Sequence, residues 1–116
     1  MTEERIYTSE FQTRKACLNT LCLKYEEVIK KQGNVSTTKI RKLKEARDEL
    51  LPTTQDKYLG KVAELIINAA NHAIQYAETK QLVHAKKAAE AQQEANELFE
   101  PLKDRIIEEV KNKRRY

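Results

Sequence analysis

The chain has 116 residues, a formal net charge of +4 and two glycines and two prolines, which fits one domain, residues 1–116, rich in long helices with short connections. It contains no run of about eighteen apolar residues, and its start, "MTEERIYTSEF", is acidic and polar where a signal peptide would be basic and then apolar. These features exclude a helical membrane span and lead to the expectation of a soluble, cytoplasmic protein.

The first helical pattern runs from about Glu4 to Gln32, with Tyr7, Phe11, Leu18, Leu21, Tyr25 and Val28 at helical spacing. Gly33 is placed to take the left-handed conformation that ends it. Ser36 or Thr37 then caps a short second helix whose apolar stripe is Ile40, Leu43, Leu50 and Leu51, closed by Pro52. Thr53 and Asp56 have capping-box spacing and predict that a third helix starts there and runs to about Glu78. A fourth runs from about Gln81 to Lys113, and Pro101 inside it is expected to kink or divide it.

No glycine or proline marks the boundary between the third and fourth patterns. The alanines are nevertheless roughly mirror-symmetric about residue 81, which predicts a hairpin pairing Ala77 with Ala85, Ala73 with Ala89, and Ile66 with Ala95; one long bent helix is the alternative. The architecture expected is all-α, an antiparallel bundle of four helices, or five if Pro101 divides the last.

Candidate chemistry is sparse. Cys17 and Cys22, five apart on one helix, point about 140° from each other and cannot bridge, and no second pair completes a metal site. No acid lies three or four residues from His72, and His84, among Lys80, Lys86 and Lys87, reads as a surface position. Neither histidine follows a glutamate by three, so a di-iron carboxylate site is not expected, and no phosphate loop or nucleophile motif is present. The expectation is a non-enzymatic protein without cofactor, metal or small-molecule substrate.

Two features point to partners instead. "KIRKLKEAR", residues 39 to 47, carries five bases against one acid, and the tail "KNKRRY" four against none. Lys39, Arg41, Lys42, Lys44, Lys111, Lys113, Arg114 and Arg115 are therefore candidates for contacting nucleic-acid phosphates. The stretch "ELIINAANHAIQYAE" is the other feature: Asn68, Asn71, His72 and Gln75 line the uncharged side of a helix with an unusually wide apolar arc. They form a candidate interface to a protein subunit or a second copy. Arg14 and Arg47 fall on apolar stripes, where each must pair with an acid or reach past the core edge to water. A helix-turn-helix reading of residues 28 to 43 fits poorly, because the spacing from Gly33 to Ile40 is about one residue too long.

"STTKIRKL", residues 36 to 43, following a long first helix, resembles a segment of the small helical subunit of type III CRISPR effector complexes. That resemblance implies a non-catalytic bundle stacked in copies along a ribonucleoprotein filament, with Lys39, Arg41 and Lys42 facing phosphates. The functional expectation is a helical subunit of a larger assembly that contacts nucleic-acid backbone; a protein–protein adaptor, inhibitor or self-assembling bundle is the alternative.

Overall fold

The computed structural model describes residues 6–113. It is an all-α bundle of four helices: α1 Ser9–Lys30, α2 Thr37–Leu50, α3 Gly60–Thr79 and α4 Leu82–Lys113, with a 3-10 turn, Leu51–Gln55, between α2 and α3. Side-chain pairs fix the directions. Arg14 meets Asp56 near one end of the bundle and Gly33 lies against Ala77 near the other, so α1 and α3 run parallel. Lys44 pairs with Glu78 and Arg47 with Asn71, which sets α2 antiparallel to α3. Gln92 donates to Glu26 and Glu109 accepts from Ile6, which sets α4 antiparallel to α1. The chain thus runs up, down, up, down.

The molecule measures 53 × 23 × 23 Å. At 1.5 Å per residue the 32-residue α4 is about 48 Å long and sets the long axis. Pro101 neither ends nor divides α4, which is one helix from Leu82 to Lys113, so the bundle has four α-helices and not five. Proline removes the donor for the carbonyl of Glu97, and that residue is exposed, where water can serve.

The expected hairpin is present. α3 ends at Lys80, whose φ of 60° reverses the chain, and α4 begins two residues later. The alanines that fill the α4 side of the core are Ala88, Ala91 and Ala95, whereas Ala89 is exposed and Ala85 only half-buried. The expected pairing through Ala85 and Ala89 is therefore displaced around the helix.

Helix ends show where local signals compete. Thr8 caps α1 by accepting from the Phe11 N–H, so α1 begins at Ser9 and not near Glu4. At its other end the Gly33 N–H bonds the Val28 carbonyl, and two consecutive residues, Gln32 (φ 54°) and Gly33 (φ 76°), are left-handed. A Cβ on Gly33 would sit 3.0 Å from the Ala77 Cα; glycine is needed there for close approach as much as for its dihedral. Ser36, not Thr37, caps α2.

Asp56 does not start α3. Its Oδ1 accepts from the N–H groups of Tyr58 and Leu59, 2.8 Å each, and the helix begins only at Gly60. A Cβ on Gly60 would lie 2.7 Å from the Thr54 carbonyl oxygen, so glycine lets α3 start tucked under the 3-10 turn. Leu51, assigned to the apolar stripe of the second helix, is displaced by that turn and is half exposed. α3 packs against α1, α2, α4 and the turn. Its wide apolar arc is thereby satisfied within the chain: Val62, Ala63, Ile66, Ala69, Ala70, Ala73 and Ile74 are all buried.

Candidate nucleic-acid interface

The α2 bases project from a helix held by two buried leucines, Leu43 and Leu50. Periodicity turns Arg41, Lys42 and Lys44 away from that seam, whereas Lys39, one turn before Leu43, stands at its end facing α1. Lys39 is tied to Glu27 of α1, which also pairs with Lys31 at 3.0 Å. The Lys39 and Lys31 ammonium groups together hold the Glu27 carboxyl down to about 2, and Glu27 in return raises Lys39. Lys44 lies 3.7 Å from Glu78 of α3, and Arg41 4.0 Å from Glu45. Lys42 makes no ion pair among the described residues. All of these groups are solvent-facing, where such pairs hold weakly and exchange readily for other anions.

Among the described residues, Lys111 of the tail does not share a patch with the α2 bases. The N-terminus of α2 lies at the end of the bundle where α3 turns into α4, beside Gly33 and Lys80. Lys111 lies at the opposite end, two residues past Glu109, whose carboxylate accepts from the Ile6 and Tyr7 N–H groups at 2.9 Å each. Arg114 and Arg115 fall outside the described residues, as does the side chain of Lys113.

What joins α2 at the turn end was not anticipated from the sequence. Residues 27–44 and 72–90, which build that end, carry nine Lys and Arg against three Glu, together with both histidines of the chain. The opposite end, residues 6–13, 52–60 and 104–113, carries four bases against five acids. Lys30 of α1 and Lys86 and Lys87 of α4, exposed and without ion pairs among the described residues, thus share an end with Lys42. Only the hairpin topology brings them together, and no local run of bases marks Lys30.

The uncharged cluster of α3 divides. Asn71 Oδ1 accepts from Arg47 at 3.0 Å, and His72 Nδ1 lies 3.4 Å from His84 Nδ1. Those two residues are half-buried and engaged within the bundle, while Asn68 and Gln75 are exposed. His84, read from the sequence as a plain surface position, is half-buried against His72. Burial, then Lys87, then His84 push His72 below the ordinary histidine value, against an opposing contribution from Gln75. Both stripe arginines find polar partners: Arg14 bonds Asp56 and Glu10, and Arg47 bonds Asn71 and Asp48.

Neither cysteine is disulfide-bonded. Tyr25 donates to Cys22 Sγ at 3.6 Å, and burial pushes both groups up, which favours the protonated thiol. Among the described residues no three His, Cys, Asp or Glu side chains gather closely enough to hold a metal ion. No described helix is long and apolar enough to cross a membrane. No family model, curated protein or solved structure matches the chain.

Proposed function

We propose that this protein is a non-enzymatic helical-bundle subunit that binds nucleic-acid backbone through its turn end. The concentration of charge there carries the reading: nine bases against three acids within one end of an elongated molecule. The bases come from α1, α2, the α3–α4 turn and the start of α4, so no single helix carries them. Lys30, Lys42, Lys86 and Lys87 are exposed and unpaired among the described residues, and Lys39, Arg41 and Lys44 hold their acids only at the surface. The likeness of residues 36 to 43 to the small subunit of type III CRISPR effector complexes supports the same choice of Lys39, Arg41 and Lys42.

Exposed lysines on long side chains suit phosphate neutralisation without base readout. Each phosphate contact releases condensed counterions, so affinity should fall steeply with salt and depend little on sequence. Fluorescence anisotropy with labelled mixed-sequence RNA and DNA, titrated at low and then rising salt, tests this. Binding at low salt with a steep, sequence-independent salt slope supports the proposal; no binding to either polymer at low salt ends it.

A further inference from the structure

The α3–α4 hairpin brings together the only two histidines of the chain. Their Nδ1 atoms are 3.4 Å apart, the ring centroids 5.7 Å apart and the ring planes 22° from parallel. The centroid separation exceeds the nitrogen separation by about two ring radii. Both Nδ1 atoms therefore lie on the line joining the rings, and the imidazoles meet head to head, edge to edge and nearly coplanar.

Two lone pairs repel across such a contact, and so do two N–H groups. One proton on the line is the favourable arrangement: the Nδ1–H of one ring donates to the Nδ1 lone pair of the other. In the neutral pair this requires opposite tautomers; one added proton makes the bond charge-assisted and stronger. We propose that His72 and His84 share a single Nδ1 proton as a clasp between α3 and α4, and that a second proton breaks the clasp and loosens the turn end of the bundle.

The surroundings favour one proton and oppose two. On α4, Lys87 bears directly on His72. In the turn, Lys80 is directed to the Gly33 carbonyl. On α2, Arg47 is held by Asn71 and Asp48, and Lys44 is paired with Glu78. On α1, Lys31 is paired with Glu27. Among the described residues no carboxylate bonds either ring; Gln75 alone favours charge on His72, so a second positive charge has no anionic partner.

Ring-nitrogen NMR of the full chain, titrated from about pH 8 to about pH 4.5, tests the clasp. The wild type should show two coupled steps separated by more than about one pH unit, and His72→Asn and His84→Asn a single step each, between those two. Lys87→Gln leaves both rings in place and should move the second step to higher pH. Histidines that titrate independently, each at the midpoint seen in the single variant that retains it, overturn the shared proton. Backbone amides of residues 76–84 should exchange about tenfold faster through the second step in the wild type and not in the Asn variants; unchanged exchange there overturns the clasp.

Discussion

Lys80 Nζ donates to the carbonyl oxygen of Gly33, tying the α3–α4 turn to the α1–α2 connection. Gly33 is itself packed on α3, where a Cβ would meet the Ala77 Cα at 3.0 Å and the Tyr76 carbonyl oxygen at 3.1 Å. Both contacts are backbone and cannot swing aside. Gly33→Ala combines that clash with a φ of 76° and should cost about 2–3 kcal/mol, read as a lower midpoint in urea with little change in slope.

The preceding residue should respond in the opposite sense. Gln32 is also left-handed, at φ 54°, but it is exposed and its side chain bonds none of the described residues. The strain is the same and nothing is lost by removing the side chain. Gln32→Gly should therefore stabilise the protein by up to about 1 kcal/mol, seen as a higher thermal midpoint; an unchanged or lower midpoint contradicts this account of the α1 terminus.

These two positions also mark how far the sequence could be read. Period-3.6 apolar spacing and scarce Gly and Pro are local signals, and they sufficed for the all-α class, the four helices and the turn near residue 81. Gly33 was visible as a terminator, but the second left-handed residue was not, because glutamine carries no such preference. Asp56 misled because a carboxylate that caps a turn and one that caps a helix look alike; the clash a Cβ on Gly60 would make with Thr54, which sets the true start of α3, is a tertiary fact. For the same reason the His72–His84 contact and the placing of Lys30, Lys42 and Lys86 at one end of the bundle were out of reach. Each depends on helix register and packing rather than on residues adjacent in the chain.

Asp56 links stability to acid pH. Burial alone would raise its carboxyl, but the N–H groups of Leu59 and Tyr58 and the Arg14 guanidinium outweigh it and hold the group below its ordinary 3.8. A carboxylate depressed in the folded state stabilises fully above its unfolded value and loses that contribution as pH falls through the folded one. Asp56→Asn keeps one acceptor oxygen but loses the charge, and should cost about 1 kcal/mol at neutral pH. The gap to wild type should hold down to about pH 5 and close below the ordinary carboxylate range, as urea melts at both pH values would show.

Glu109 fastens the segment before α1 to the last turns of α4. One carboxylate oxygen accepts from Ile6 and the other from Tyr7, and the Ile6 side chain is 1% exposed beneath them. Glu109→Gln replaces one acceptor by a donor facing an N–H, and should cost about 1–2 kcal/mol. Hydrogen exchange localises the effect: the Ile6 and Tyr7 amides should lose protection while amides in the middle of α3 keep theirs. Equal loss at both places would mean that Glu109 supports the whole bundle rather than this one junction.

Charge reversals at the two ends separate a local nucleic-acid site from a general attraction to a basic protein. Lys42 and Lys86 stand at the turn end on different helices, both exposed and without ion pairs among the described residues, whereas Lys111 is exposed at the far end beside Glu108 and Glu109. The Debye length is about 8 Å at physiological salt, far shorter than the 53 Å axis, so a charge at one end is screened from phosphates at the other. Lys42→Glu and Lys86→Glu should each weaken RNA or DNA binding about three- to tenfold and flatten the salt slope by about one contact. Lys111→Glu alters the net charge by the same amount and should leave affinity unchanged within about twofold. Equal loss from all three substitutions would show attraction governed by net charge, and the turn end would then have no special claim to the phosphates.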